Sequence, residues 1–299
     1  MAADDFSERA HSRRHFLGAG LAAAGGLVLA SAFGADAADA LDTKTFFPLV
    51  LSSDLYASPR PQRLVFALSH SSSAGIQYAS GPSVQVRFGS PDGTTTTTLM
   101  KTAYDRAGLP KGRGVYVSFP TFPTAGIWKV EARAKGQKIP FSVQVNASPI
   151  TVVPGQPAPR APSPTPSSTL GVKPIFTRDP MCPLHTKSLS DVIGAGKPVA
   201  ALFATPARCQ SQYCGPVLDE LLDVMDAYTD KVTFVHTEIY QSSTGTALVP
   251  TLNAWKIESE PFLFGVDGAG VIQSRIDGAF GGDEMKALLD ALVQTQPSG

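Results

Sequence analysis

The chain is 299 residues long, which as a soft prior gives two domains. Its 25 Lys+Arg balance 25 Asp+Glu, so the formal charge is zero and no basic stripe is available to neutralise phosphates, which argues against general nucleic-acid binding. Hydrophobic residues at 43% with charged residues at 17% exclude wholesale disorder and a coiled coil, and three cysteines are too few for a disulfide-stapled scaffold.

Ser12-Arg13-Arg14-His15-Phe16-Leu17 stands just before a run of small and apolar residues reaching Gly34. The pattern resembles a twin-arginine export signal. Ala35-Asp36-Ala37 and Ala38-Asp39-Ala40 both offer small-x-small cleavage sites, and no cysteine follows the apolar run to take a lipid. The alternative is an uncleaved membrane anchor, for which the stretch 17–33 is at the lower edge of spanning length. Residues 1–40 are therefore set apart as a signal peptide, and the remainder carries a net charge of about +2. The expected location is extracytoplasmic (periplasmic, cell-surface or secreted), where a close cysteine pair stays oxidised unless something reduces it.

Residues 41–147 read as all-β. Short β-branched or aromatic runs at 64–68, 84–88, 115–119 and 128–132 are separated by turn signals at 90–93, 112–114 and 135–137. The segments 127–134 and 138–145 are expected to form a hairpin. About seven such strands suggest an immunoglobulin-like sandwich, here without cysteine and so without an inter-sheet disulfide. Thr94 to Thr98 reads as a β-prone edge segment and His70, among serines, as part of a solvated loop. No constellation for chemistry stands out in this block, which serves as a spacer or a partner-binding module.

Residues 148–173 hold seven prolines among Ser, Thr and Ala, a composition that breaks helices and lacks the donors for a sheet. It is expected to be a semi-extended linker. Residues 174–299 then alternate strand and helix. Residues 198–204 form a short apolar run suited to a buried strand, and 216–228 place Val217, Leu218, Leu221, Leu222 and Met225 on one helical face. Strands follow at 232–240, 262–266 and 271–276, and Asp283 is expected to cap a last helix reaching about Val293.

The order of these elements, and Tyr213-Cys214-Gly215-Pro216-Val217 at the junction of strand and helix, resemble a thioredoxin-like domain. The resemblance spans about residues 173–296. It matches Cys214 to the first cysteine of the family's Cys-Gly-Pro-Cys motif, and Glu260-Pro261-Phe262 to the cis-proline segment opposite it. Val217 stands where the family has its second cysteine, and Cys209 precedes instead, giving a C-x4-C spacing. The implied function is thiol–disulfide exchange on proteins bearing thiols or disulfides, without cofactor or metal. Cys214, at a helix N-terminus that stabilises a thiolate, is expected to attack. Cys209 is expected to resolve the mixed disulfide, and Pro261 to present backbone to a bound substrate chain. The strand at 199–204 lacks the buried carboxylate the family uses, leaving Glu220 or Glu260 as substitutes.

Two other readings stay open. One is a non-catalytic binding or scaffold protein held by a structural Cys209–Cys214 disulfide. The other is a thioredoxin-like metal-delivery protein, because Cys182 and His185 stand at i, i+3 and offer soft-metal ligands that Cys209 and Cys214 would complete. His236 reads as a packed strand residue, Cys182 as a buried thiol and Trp255 as a core anchor.

Overall fold

In a computed structural model the described residues are 45–295, save 73–74, 79–80, 82, 107, 109–113 and 210–212. Residues 1–40, read from the sequence as an export signal, lie outside them. Nine strands precede residue 146: β1 (Phe47–Val50), β2 (Leu64–Ser72), β3 (Gly75–Tyr78), β4 (Val84–Gly89), β5 (Met100–Lys101), β6 (Ala103–Asp105), β7 (Val115–Ser118), β8 (Gly126–Ala134) and β9 (Gln137–Val145). They make two antiparallel sheets, one ordered β1-β2-β7-β6 with β3 beside β2, the other β5-β4-β8-β9. Leu64, Phe66, Leu68 and Tyr116 of the first sheet meet Val86, Phe88, Trp128 and Val130 of the second in one buried layer. The β8–β9 hairpin turns through Lys135 and Gly136, both at positive φ (48° and 79°), as a tight two-residue turn between right-twisted strands requires. His70 lies in β2, opposite Gln77, instead of in a loop. The threonine run is a loop tied to the end of β4, with Gly89 opposite Thr96, Thr97 N–H donating to Phe88 O and Phe88 N–H to Thr97 Oγ1.

The remaining elements are α1 (Leu189–Val192), β10 (Val199–Phe203), α2 (Cys214–Met225), β11 (Thr233–Thr237), α3 (Pro250–Trp255), β12 (Phe262–Val266), β13 (Ile272–Asp277) and α4 (Gly282–Gln294), with 3-10 turns at Pro183–His185 and Pro206–Arg208. The strands form a mixed sheet ordered β11-β10-β12-β13, with β10 and β11 parallel and the other pairs antiparallel. Successive side chains of a strand point to opposite faces, so Ala200 and Leu202 meet α2 and α4 while Val199, Ala201 and Phe203 meet α1 and α3. Trp255 is a core anchor, packed at a tilt against Phe203 and Phe264. Gly281, not Asp283, caps α4; Asp283 and Glu284 sit in its first turn, where negative charge suits the helix dipole. Among the described residues no helix is long and apolar enough to cross a membrane.

The two halves share a core. Val65 and Ala67 of β2 and Val115 and Val117 of β7 turn away from the sandwich interior and pack with Ala279, Phe280 and Met285. The Pro-rich segment is laid against the second half: Ala158 N–H donates to Gly270 O, Ile272 N–H to Gln156 O, and Thr251 Oγ1–H to Pro162 O. A proline-rich strip has fewer donors than an ordinary strand, so N–H groups such as those of Gly155 and Ala158 donate where they can and its carbonyls accept from the elements it crosses.

Candidate active site

β10 delivers the chain to Thr205, the turn Pro206–Arg208 and Cys209, and α2 begins five residues later at Cys214. Cys209 and Cys214 form a disulfide, and Cys182 is a free, buried thiol. The two sulfurs are not equivalent. Cys214 is fully buried, whereas Cys209 is partly open to solvent. The Cys214 backbone N–H, one of the unsatisfied donors that open a helix, points at Cys209 Sγ at 3.1 Å. The disulfide thus holds the Cys209 sulfur against the start of α2, within reach of a helix N-terminal N–H. Arg208 fixes the approach to the loop by donating to Ser242 O and Gly245 O at 2.6 and 2.7 Å, with its guanidinium 4.2 Å from the Tyr240 ring centre.

A carboxylate missing from β10 arrives from the neighbouring strand. Phe203 pairs with Phe262, so the residues just before β12 lie beside those just after β10. This brings a carboxylate oxygen of Glu260 to within 4.8 Å of both sulfurs. The Glu260–Pro261 peptide is cis, and Pro261 O accepts the Gly278 N–H at 3.0 Å. Neither Glu260 oxygen has a well-formed hydrogen bond among the described residues. Burial pushes its pKa up to about 8; Thr205 pulls the other way, Glu238 raises it further, and Arg208 lowers it slightly. Glu220, the other substitute named from the sequence, lies elsewhere, accepting the Gly282 N–H at 3.0 Å.

Glu238, which the sequence did not single out, is a second buried carboxylate, just past β11. Burial raises its pKa to about 7, against bonds from the Thr177 N–H and hydroxyl.

Beyond Glu238 stands a third group. Cys182, His185 and His236, all buried, bring one ligand atom each to within 4.8 Å of the others. Cys182 Sγ lies 3.3 Å from His236 Nδ1, and His236 Nε2 lies 2.8 Å from Ala204 O. Burial pushes the His236 pKa down to about 3 and that of His185 to about 4, and raises that of Cys182. His236 is therefore more than packing: it joins Cys182 and His185, while Cys209 and Cys214 form a separate pair.

No family model and no curated protein matches the sequence. Among solved structures, a thiol:disulfide interchange protein of the thioredoxin family from Chlorobium tepidum TLS is similar at 16% identity, over 48% of this chain and 98% of its own, with a TM-score of 0.32. The Lin-41 filamin domain is similar at 16% identity, over 36% of this chain and 97% of its own, with a TM-score of 0.24. The chain thus has partial structural neighbours in a thioredoxin-family protein and in a filamin domain, each covering part of its length.

Proposed function

We propose that this chain is an exported thiol–disulfide oxidoreductase acting on extracytoplasmic proteins, with an immunoglobulin-like domain ahead of a thioredoxin-like one. The observation that carries the reading is the placement of a buried, proton-holding carboxylate, Glu260, against the Cys209–Cys214 disulfide at the start of α2. Cys209 exchanges with substrate because it is the more open sulfur and receives the helix N–H. Cys214 is its internal partner.

In the oxidising direction a substrate thiolate attacks Cys209 Sγ and the Cys209–Cys214 bond breaks. Its electron pair goes to Cys214, which takes the proton of Glu260. A second substrate thiolate then attacks the substrate sulfur of the mixed disulfide and releases Cys209 as a thiolate facing the Cys214 N–H. The substrate dithiol leaves oxidised and the protein reduced; the reverse sequence reduces a substrate disulfide.

Trapping tests both the activity and the roles. Cys214→Ser leaves the exchanging sulfur without a resolver and is expected to accumulate mixed disulfides through Cys209, visible on non-reducing gels and by mass spectrometry; Cys209→Ser is not. Adducts on Cys214 would return the attacking role to that residue. Absence of adducts on either variant, with a potential below about −300 mV, would make the bond structural.

A further inference from the structure

The buried group formed by Cys182, His185 and His236 takes no part in the exchange chemistry, and its arrangement calls for a ligand. A backbone carbonyl only accepts, so the nitrogen facing Ala204 O, His236 Nε2, carries the ring hydrogen. His236 Nδ1 then directs a lone pair at Cys182 Sγ, 3.3 Å away. Imidazoles that bind metals characteristically donate their other ring N–H to a carbonyl or carboxylate in this way.

His185 supplies an independent observation. It is 2% exposed, and neither ring nitrogen has a well-formed hydrogen bond among the described residues. A buried polar atom left without a good partner costs about 1–3 kcal/mol, and the polar contact that bears on the His185 ring is a backbone bond with His236 that does not satisfy it, within a cluster of metal-ligand atoms.

We propose that Cys182, His185 and His236 bind a single Cu(I) ion through one thiolate sulfur and two imidazole nitrogens. Bonds of about 2.0–2.3 Å to a sulfur and a nitrogen 3.3 Å apart open an angle of about 100°, within the range of a low-coordinate thiolate–imidazole site. Sulfur and imidazole select the soft and borderline late transition metals over Mg(II) or Ca(II). Charge and ligand number then choose among those metals. Of the three ligands only the Cys182 thiolate is anionic, so the ligand set itself balances a monovalent ion and not a divalent one. Zn(II) takes four ligands in structural sites, and among the described residues this cluster offers three. Binding moves no electrons: the Cys182 S–H bond gives way to an S–Cu bond and one proton leaves to solvent. Met181, 52% exposed, places a soft thioether in the preceding position at the surface.

The test uses the full exported chain with its Cys209–Cys214 disulfide intact, so that Cys182 is the one free thiol. Cu(I) is supplied without oxygen against a coloured Cu(I) chelator. The expected result is one equivalent of bound copper, a proton released per ion near neutral pH, and an X-ray absorption spectrum showing one sulfur and two nitrogen neighbours. Cys182→Ser and His185→Gln are expected to weaken binding by about 100-fold or more, beyond the roughly 10–100-fold lost when only a supporting partner is removed. Cys209→Ser with Cys214→Ser is expected to leave it unchanged.

Stoichiometric binding that survives Cys182→Ser, or no binding by the disulfide-intact protein, would overturn the site. Binding of Zn(II) in preference to Cu(I) would overturn the choice of ion. Should a variant fail to fold, the sulfur and nitrogen count around copper in the unmodified protein still decides.

Discussion

At the scale of single residues the active site is a problem of where protons rest. Glu260 holds its proton to about pH 8 in the folded protein, against an ordinary value of 4.5. Between those values the folded state binds more protons than the unfolded one, so its stability falls as pH rises through the window. Glu260→Gln removes the titration while keeping size and polarity. It is expected to flatten that fall and to leave the variant about 1–3 kcal/mol more stable than the parent near pH 9, read by urea denaturation across pH. The same change is expected to slow release of the Cys214 thiolate, and with it reduction of the disulfide by dithiothreitol below pH 8, while leaving the Cys209–Cys214 pairing intact. An unchanged stability profile would show that the Glu260 carboxyl titrates normally. The sequence supplied Glu260 and Glu220 as equals, because spacing does not reveal that antiparallel pairing of Phe203 with Phe262 carries only Glu260 to the sulfurs. The Cys182–His185–His236 group was hidden for the same reason: its third member comes from a strand more than fifty residues away.

At the scale of elements, what is periodic was readable and what is tertiary was not. Val84–Gly89 alternates buried and half-buried residues, and that alternation is plain in its sequence. Leu64 to Leu68 lacks alternation, and the structure shows why: one face of β2 fills the sandwich and the other meets the second half of the chain. An apolar run of that kind marks a strand buried on both faces, but not what covers it. The junction after β13 is equally tight. Gly278 has φ +72°, and a Cβ there would lie 2.5 Å from Leu51 O, while its N–H holds Pro261 O. Gly278→Ala is expected to cost on the order of 1–3 kcal/mol from backbone strain, with the clash adding to it. Gly215→Ala, in open space within α2, is expected to be neutral or to gain up to about 1 kcal/mol. Paired urea titrations measure both; equal stability of the two variants would contradict the packing between β13 and the chain near Leu51.

At the scale of the whole molecule, the halves are joined by buried charge as well as by apolar surface. Arg63 grips Glu284 through two bonds of 2.7 Å and donates to Asp277 O and Ala279 O. Arg275 reaches back from β13 to Asp54 at 2.7 Å, and Asp54 also accepts the Ile150 and Thr151 N–H groups. Burial raises the Asp54 pKa, but the Ile150 N–H, Arg275 and the two Thr151 bonds outweigh it and hold the carboxyl below its ordinary value. Its contribution is therefore present above the unfolded pKa of about 3.9 and lost as pH falls through the lower folded value. Arg275→Met removes the cation and leaves the carboxylate buried, a change expected to cost about 3–5 kcal/mol at pH 7. The deficit should shrink below about pH 4, where protonation relieves the orphaned charge. The two tryptophans report the halves separately, Trp128 from the sandwich core and Trp255 from the other. With Trp128→Phe or Trp255→Phe as reporters, the parent is expected to give coincident urea transitions, since Val65, Ala67, Val115 and Val117 belong to the same core as α2 and α4. Arg275→Met should separate them at pH 7, because the shared apolar core and the Arg63 contacts then couple the halves across a boundary that holds an unpaired buried carboxylate. Transitions already separate in the parent would show that the shared core does not bind the halves into one cooperative unit, and an unchanged midpoint in Arg275→Met would remove Asp54 from the coupling.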